Sequence, residues 1–153
     1  MDLLKLAQPE DWERVSALSR QVLELHANWC PNAYEVVEHP YPMDFFEACI
    51  REKTFYVAKY EGTIIGYVRF VLWETNGSGS VKRKMLSIDD IGVDGKLRNQ
   101  GFGKKMVSEL KELAREIGCT DMQLYVDVQN ENAFAFYKKC GFHVSNVGMQ
   151  MKL

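Results

Sequence analysis

The sequence predicts a mixed α/β domain, with a central sheet of about seven strands flanked by about four helices. Some segments alternate apolar and polar residues, as strands do, whereas others repeat apolar residues every three or four positions, as amphipathic helices do. Together they give the order β-α-α-β-β-β-α-β-α-β-β. With 153 residues, 46% of them hydrophobic and 26% charged, the chain is expected to form one globular domain over residues 1–153.

The first half of the chain supplies a strand, two helices and a hairpin. Residues 3–7 predict a short strand, and a helix that starts at Pro9 ends before Pro31. This helix carries one apolar stripe at helical spacing, namely Trp12, Val15, Leu18, Val22, Leu25 and Trp29. Residues 44–51 predict a second helix, and residues 54–73 an antiparallel hairpin.

The second half predicts the remaining strands and helices. A strand over residues 86–93 leads through a loop into a long amphipathic helix, which Gly118 ends. Residues 122–128 alternate as a further strand, and Asn130 can cap the next helix. Residues 142–153 predict a closing hairpin.

Composition argues against several kinds of partner. The net charge of −2 provides no basic field to recruit nucleic acid. Cysteines 30, 49, 119 and 140 form no C-x-x-C pair, so neither a metal site nor disulfides are expected. No signal peptide and no apolar run of membrane-spanning length is evident, so a cytoplasmic protein without membrane contact is expected.

The loop before the long helix has the features of an anion-binding site. Gly101 and Gly103 let the backbone approach a ligand, and the helix start directs N–H groups and a positive dipole outward. Three cations flank it, namely Arg98, Lys104 and Lys105, although a solvated helix start would also explain them. A phosphate or pyrophosphate is the expected ligand. The spacing fits neither a P-loop nor the dinucleotide fingerprint.

Three motifs in order resemble the GNAT superfamily of N-acetyltransferases. Residues 98–103 read Arg-x-x-Gly-x-Gly, which is similar to the family signature Gln/Arg-x-x-Gly-x-Gly/Ala. Residues 88–93 resemble the family's fourth strand, and residues 130–142 match its Asn-x-x-Ala-x-x-x-Tyr-x-x-x-Gly-Phe element. The resemblance covers about residues 55–142 and implies a GNAT fold.

The resemblance implies acetyl-coenzyme A as the cosubstrate, and no metal. The fourth and fifth strands would run parallel and splay apart, and the pantetheine arm of the coenzyme would lie in the opening. The expected coenzyme contacts are Ile91, Gly92, Val93, Arg98, Asn99, Gln100, Gly101, Gly103 and Lys104. Asn130 would contact the pantetheine or adenosine part, or serve as a helix cap alone.

Acetyl transfer to an amine calls for a proton acceptor and benefits from a proton donor. Tyr137 stands where the family commonly places its acid, although a tyrosine packed beside Phe134 and Phe136 is the structural alternative. Asp89 is the preferred acceptor; Asp90, a water chain and a purely solvated acid remain alternatives. Regular alternation places Asp89 on the face of Ile91 and Val93, whereas a β-bulge would exchange the two aspartates.

The sequence leaves the acceptor open between a small-molecule amine and a peptide. A cationic amine would suit the aromatic and acidic residues Trp29, Tyr34, Glu35, Glu38, Tyr41 and Glu74, with His26 nearby. A coenzyme A-binding sensor without turnover is the second hypothesis, and the retained Tyr137 disfavours it. A nucleic-acid module built on basic residues 82–84 is the third, and the chain has too little charge for it. Since relatives are often dimers, a homodimer is compatible with the resemblance.

Overall fold

The sheet is formed by five strands, β1 (Leu4–Leu6), β2 (Phe55–Tyr60), β3 (Thr63–Thr75), β4 (Arg83–Val93) and β5 (Asp121–Leu124). They lie side by side in chain order in the computed structural model, which describes residues 2–153. The first four strands pair antiparallel, and β5 pairs with β4 in parallel. The predicted α/β class and the parallel pairing of the fourth and fifth strands are confirmed.

Four helices flank the sheet, α1 (Trp12–Trp29), α2 (Met43–Arg51), α3 (Phe102–Glu116) and α4 (Glu131–Lys139). Two single turns of 3-10 helix precede α1 and α3 along the chain, Pro9–Asp11 and Gly95–Leu97. The number and order of the helices are as predicted. Pro9 starts the first 3-10 turn, and α1 itself begins at Trp12.

Two hydrophobic cores lie on opposite faces of the sheet, because successive residues of a strand point to opposite sides. On β2, Phe55 and Val57 point into the core formed with α1 and α2, whereas Tyr56 and Ala58 point into the core formed with α3. The helices contribute the buried residues Val15, Leu18, Phe46 and Cys49 to the first core and Met106, Leu110, Leu113 and Ala114 to the second.

A β-bulge interrupts the pairing of β3 with β4. The register shifts at Arg69, and Asp89 is the extra residue on β4. Beyond the bulge, Ile91 packs in the same core as Ile88, so the bulge has exchanged the two sides of the strand. The prediction from regular alternation, with Asp89 on the face of Ile91, is therefore wrong. Asp90 points toward α1 and α2.

Strands β4 and β5 pair over only part of their length. The parallel ladder runs from Met85 opposite Asp121 to Ile88 opposite Leu124. Beyond it, β4 continues to Val93 paired with β3 alone, and the chain after Leu124 leaves the sheet. An opening is left between the carboxyl ends of the two strands.

The C-terminal part differs from the prediction, since the sheet has five strands and not about seven. The predicted strand over residues 122–128 ends at Leu124, and residues 143–153 form no strand, so the closing hairpin is absent. The apolar alternation there is real, but Met149 and Met151 are exposed. Alternation predicts that one face of a segment is suited to burial; it does not specify which surface covers that face.

Candidate active site

The opening between β4 and β5 is part of a cleft of about 420 Å³. One wall is the second half of β4, and the other is the chain after β5. Helix α1 and helix α4 close the sides. The lining residues that bear on the chemistry are His26, Trp29, Tyr34, Asp89, Asp90, Ile91, Gly92, Val93, Arg98, Asp127, Asn130 and Tyr137.

The loop before α3 leaves the helix start open. Gly101 precedes the helix with a φ of +87°, a left-handed conformation that favours glycine. Among residues 2–153, a Cβ at Gly101 would meet no atom within 4 Å, and no side chain caps the helix. The first bond inside the helix is donated by Lys105 N to Gly101 O, at 3.1 Å. The preceding N–H groups are therefore available to an anion.

Arg98 connects this loop to the cleft. Its Nε donates a hydrogen bond to the carbonyl oxygen of Val93 at 3.3 Å, and the side chain lines the cleft. Asn99, Gln100 and Lys104 are exposed at the helix start and do not line the cleft. The predicted coenzyme contacts therefore fall into two places. Some line the cleft, as Arg98 does, and others lie on the exposed loop and helix start beside it.

Two of the predicted glycines also have packing roles. A Cβ on Gly92 would lie 2.7 Å from Val22 Cγ2 and 2.8 Å from Tyr67 Cε1, so a side chain there would displace α1 or a buried ring. A Cβ on Gly103 would lie 3.3 Å from Phe136 Cζ. Gly92 thus lets α1 approach β4, and Gly103 lets α4 approach α3. Both packing roles hold with or without a ligand.

Asn130 caps α4. Its Oδ1 accepts a hydrogen bond from Ala133 N at 3.1 Å, which satisfies one free donor of the first turn. The residue also lines the cleft. The cap alone would explain an asparagine at this position. Because Asn130 also lines the cleft, a contact with the coenzyme stays a prediction.

Tyr137 lines the cleft from α4, with its ring packed against Phe136 and Phe142. Burial, together with the charge of Asp90, raises the pKa of Tyr137 to about 12, so the phenol is protonated at neutral pH. Within residues 2–153 its hydroxyl has no hydrogen-bond partner. It is therefore free to donate to a ligand in the cleft.

Asp90 is held by two buried tyrosines. Tyr67 donates to its Oδ2 at 2.6 Å, and Tyr41 donates to the same oxygen at 2.7 Å. Burial raises the pKa of Asp90 above its ordinary value, while these two hydrogen bonds act in the opposite direction and leave a net increase. A carboxylate fixed in this way at a cleft is suited to proton transfer.

Asp89 has a different environment. It is half-exposed and forms an ion pair with Arg69, whose guanidinium lies over the ring of Phe45, 4.9 Å from its centroid. The bulge turns the two neighbouring aspartates to different partners. The role of Tyr67 was not predicted, because its residue type and position on β3 indicate only a core strand.

Aromatic residues close the end of the cleft opposite the glycine loop. The ring of His26 lies 5.2 Å from that of Tyr34 and 5.9 Å from that of Trp29, centroid to centroid. Cys30 Sγ donates to Asp127 Oδ2 at 3.2 Å and so joins the end of α1 to the far wall. The residues predicted for the acceptor that do not line the cleft are Glu35, Glu38, Tyr41 and Glu74.

Residues 2–153 contain neither a cluster of metal ligands nor a membrane-spanning helix. No three or more His, Cys, Asp or Glu side chains are grouped so that they could hold a metal. None of the described helices has both the length and the apolar character needed to cross a bilayer.

Solved structures share this architecture, and one of them is an acetyltransferase. The aminoglycoside N-acetyltransferase AAC(6′)-Iy in complex with CoA matches with a TM-score of 0.71 at 13% identity, over 98% of both chains. A crystal structure of a mutant BH1408 protein from Bacillus halodurans matches with a TM-score of 0.92 at 24% identity, over 99% of both chains. These likenesses establish the fold.

Family membership follows from the sequence comparison. The model of the acetyltransferase (GNAT) family matches residues 20–142, and the chain belongs to this family. An uncharacterized N-acetyltransferase of Methanocaldococcus jannaschii is 32% identical over 97 residues, which make up 63% of this chain and 42% of that protein. The chain spans about half the length of the curated relatives it matches.

Proposed function

We propose that the protein is an N-acetyltransferase that transfers the acetyl group of acetyl-coenzyme A to a primary amine of a small molecule or peptide, by direct attack in a ternary complex. One observation carries the proposal. The cleft holds the partly buried Asp90 carboxylate and a phenol without a partner among residues 2–153, both suited to proton transfer, and it reaches Arg98 in the loop that precedes an open helix start suited to a pyrophosphate.

The residues present fit the coenzyme. The free N–H groups at the start of α3, the open space beside Gly101 and the Arg98 guanidinium offer positive partners for a pyrophosphate. The half of β4 that β5 leaves unpaired offers backbone groups from Ile91 to Val93 to an extended arm. When bound, acetyl-coenzyme A supplies an activated acetyl thioester.

Asp90 is the proton acceptor in this proposal, and the sequence-based preference for Asp89 becomes the alternative. Asp90 faces the cleft from a fixed position, whereas Asp89 is neutralised by Arg69. The raised pKa of Asp90 brings its basicity closer to that of the amine, which favours proton transfer near neutral pH.

Tyr137 is the proton donor, or the hydrogen-bond donor, to the leaving sulfur. Its hydroxyl is protonated at neutral pH and without a partner within the described chain. The non-catalytic sensor is not favoured, because binding alone would require neither this free phenol nor the Asp90 carboxylate in the same cleft.

The acceptor is a cationic amine in this proposal. Asp90 and Asp127 line the cleft at its aromatic end, where Trp29 and Tyr34 offer ring faces to a cation. At the other end of the cleft, beside the glycine loop, the lining includes the positively charged Arg98. The two ends of the cleft therefore suit an anionic coenzyme and a cationic acceptor.

The test is a thiol-release assay across polyamines, aminoglycosides and peptides, followed by kinetics of Tyr137→Phe with the best substrate. The substitution removes the donor and keeps the ring, so kcat should fall on the order of 100-fold with little change in acetyl-coenzyme A affinity. Tyr56→Phe, in the core away from the cleft, is the matched control. Unchanged kcat in Tyr137→Phe would remove this residue from the mechanism.

A further inference from the structure

Residues 39–42 form a short segment before α2 that does not line the cleft. The sequence suggested Tyr41 for the acceptor site, but its side chain is buried in the core between the sheet and the first two helices. Its hydroxyl donates to Oδ2 of Asp90 at 2.7 Å. The 39–42 segment therefore reaches the site through one carboxylate oxygen and not through the lining of the cleft.

Contacts with α1 hold the 39–42 segment in place. Trp12 Nε1 donates to the carbonyl oxygen of Tyr41 at 2.8 Å. The Trp12 ring also stacks on that of His39, with 4.3 Å between the centroids, and His39 Nδ1 lies 3.2 Å from Ser16 Oγ. None of these side chains lines the cleft. The position of the Tyr41 hydroxyl thus depends on α1, and Trp12 provides the hydrogen bond to the Tyr41 backbone.

Tyr67 reaches the same carboxylate oxygen from β3. It is fully buried and donates to Asp90 Oδ2 at 2.6 Å. Gly92 lies opposite Tyr67 on β4, and a Cβ there would lie 2.8 Å from Tyr67 Cε1, so the glycine leaves room for the ring. A phenol has a single proton to donate, and both tyrosines donate it to Oδ2.

The two oxygens of Asp90 therefore differ. Oδ2 has two donors, whereas Oδ1 accepts no hydrogen bond from any group within residues 2–153. Oδ1 is not sealed from solvent, so it is exposed in the cleft that Asp90 lines. A proton added at Oδ2 would face two O–H donors, whereas a proton added at Oδ1 leaves both hydrogen bonds in place.

We propose that Tyr41 and Tyr67 are positioning residues of the transfer reaction, which hold Oδ2 of Asp90 so that Oδ1 accepts the proton, and that Trp12 acts through Tyr41. The inference rests on the proposed function, because it names the atom that takes the proton from the amine. An N–H bond of the attacking amine breaks, its electron pair stays on nitrogen, and an O–H bond forms at Oδ1. Oδ1 then returns the proton to solvent in the cleft.

Titratable and charged groups from several elements also surround Asp90. They are His26 on α1, Asp89 on β4 with its partner Arg69 on β3, and Tyr137 on α4. The substitutions below leave these groups unchanged. Because hydrogen bonds from the two tyrosines favour the charged carboxylate, the loss of either hydroxyl should raise the pKa of Asp90 further.

The first test is a carbon-13 NMR titration of the Asp90 carboxyl group in the full chain without ligands, with Asp90→Asn to identify the signal. Tyr41→Phe and Tyr67→Phe each remove one O–H and keep the ring, so the pKa of Asp90 should rise by about one unit in each. Tyr56→Phe, whose ring lies in the other core, should leave it unchanged. An unchanged Asp90 titration in either variant would overturn the proposal.

The second test is the pH dependence of kcat with the best amine. The acidic limb should move to higher pH by the same amount in both tyrosine variants. The affinity for acetyl-coenzyme A should not change, because neither residue lines the cleft. An acidic limb that stays in place would overturn the positioning role.

Trp12→Phe tests the connection through Tyr41. It keeps a ring to stack on His39 and loses the N–H donor, so it should move the acidic limb in the same direction as Tyr41→Phe. Combined with Tyr41→Phe it should have no further effect on the limb. Trp73→Phe, which changes an exposed tryptophan on β3, is the matched control. Equal shifts from Trp12→Phe in both backgrounds would contradict an action through Tyr41.

The two tests separate this inference from the proposed function. A shifted Asp90 titration with no turnover of any amine would refute the proposed function, and the role in the reaction with it. Turnover with an unshifted acidic limb in the tyrosine variants would leave the proposed function standing and overturn the positioning role alone.

Discussion

At the scale of single residues, Asp90 is the group whose chemistry depends most on its surroundings. Two tyrosine hydroxyls hold one of its oxygens, and burial raises its pKa. The sequence placed an acid on this strand but ranked Asp89 first. The ranking could not be made from the sequence, because it depends on a bulge at Arg69 and on Tyr41, far away in the chain.

Asp90→Asn should separate activity from stability. The variant should lower kcat/KM on the order of 100-fold at pH 7 and remove the acidic limb of the pH–rate profile. Because the folded-state pKa is raised, the contribution of Asp90 to stability is greatest below its ordinary pKa and is lost as the pH rises through the folded-state value. Asparagine resembles the protonated form, so the free energy of unfolding at pH 7 should not fall.

Asp89→Asn is the control for this experiment, since it is the same chemical change one residue away. It breaks a half-exposed ion pair with Arg69 and should keep both the rate and the acidic limb. If Asp89→Asn removes the limb and Asp90→Asn keeps it, the two assignments must be exchanged.

At the scale of elements, the sequence predicted those whose pattern is local. The helices and the hairpin followed from the spacing of apolar residues, and Pro9 and Gly118 marked helix ends. The prediction failed after Leu124, where strand formation depends on a partner strand that the local pattern does not identify. The attachment of β1 was also not predictable, because its polar partner, Glu109, lies more than 100 residues away on α3.

Glu109→Gln should loosen β1 from α3. The Glu109 carboxylate accepts hydrogen bonds from the backbone N–H of Leu3 and Leu4, at 2.8 to 3.0 Å. Loss of these charge-assisted bonds should lower the free energy of unfolding by about 1.5 to 3 kcal/mol in urea titrations at pH 7. Glu112→Gln, on the exposed side of the same helix, should have little effect.

The loss should also depend on pH. Burial alone raises the pKa of Glu109, but the backbone hydrogen bonds outweigh it and lower the pKa below its ordinary value. The stabilising contribution is therefore present above the ordinary pKa of glutamate and is lost as the pH falls through the folded-state value. The difference between wild type and Glu109→Gln should shrink in acid, and a constant difference would contradict this account of the contact.

At the scale of the whole molecule, the site is formed where the sheet divides. The bulge turns Asp90 toward α1, the short β4–β5 ladder opens the cleft, and the glycine loop places the start of α3 beside it. The sequence predicted the loop, the splayed strands and Tyr137 from three motifs. The aromatic end of the cleft brings the end of α1 next to Asp127. This contact could not be predicted from the sequence, because the two segments are far apart along the chain.

The affinity of two Gly101 variants for acetyl-coenzyme A, measured by calorimetry, tests the central claim most directly. Asparagine and aspartate both tolerate a positive φ and both cap a helix, so Gly101→Asn and Gly101→Asp differ in charge and hardly in shape. The negative charge of Gly101→Asp should stabilise the helix yet repel the pyrophosphate, and this variant should bind at least about 10-fold more weakly than Gly101→Asn. Equal affinities of the two folded variants would contradict pyrophosphate binding at the start of α3.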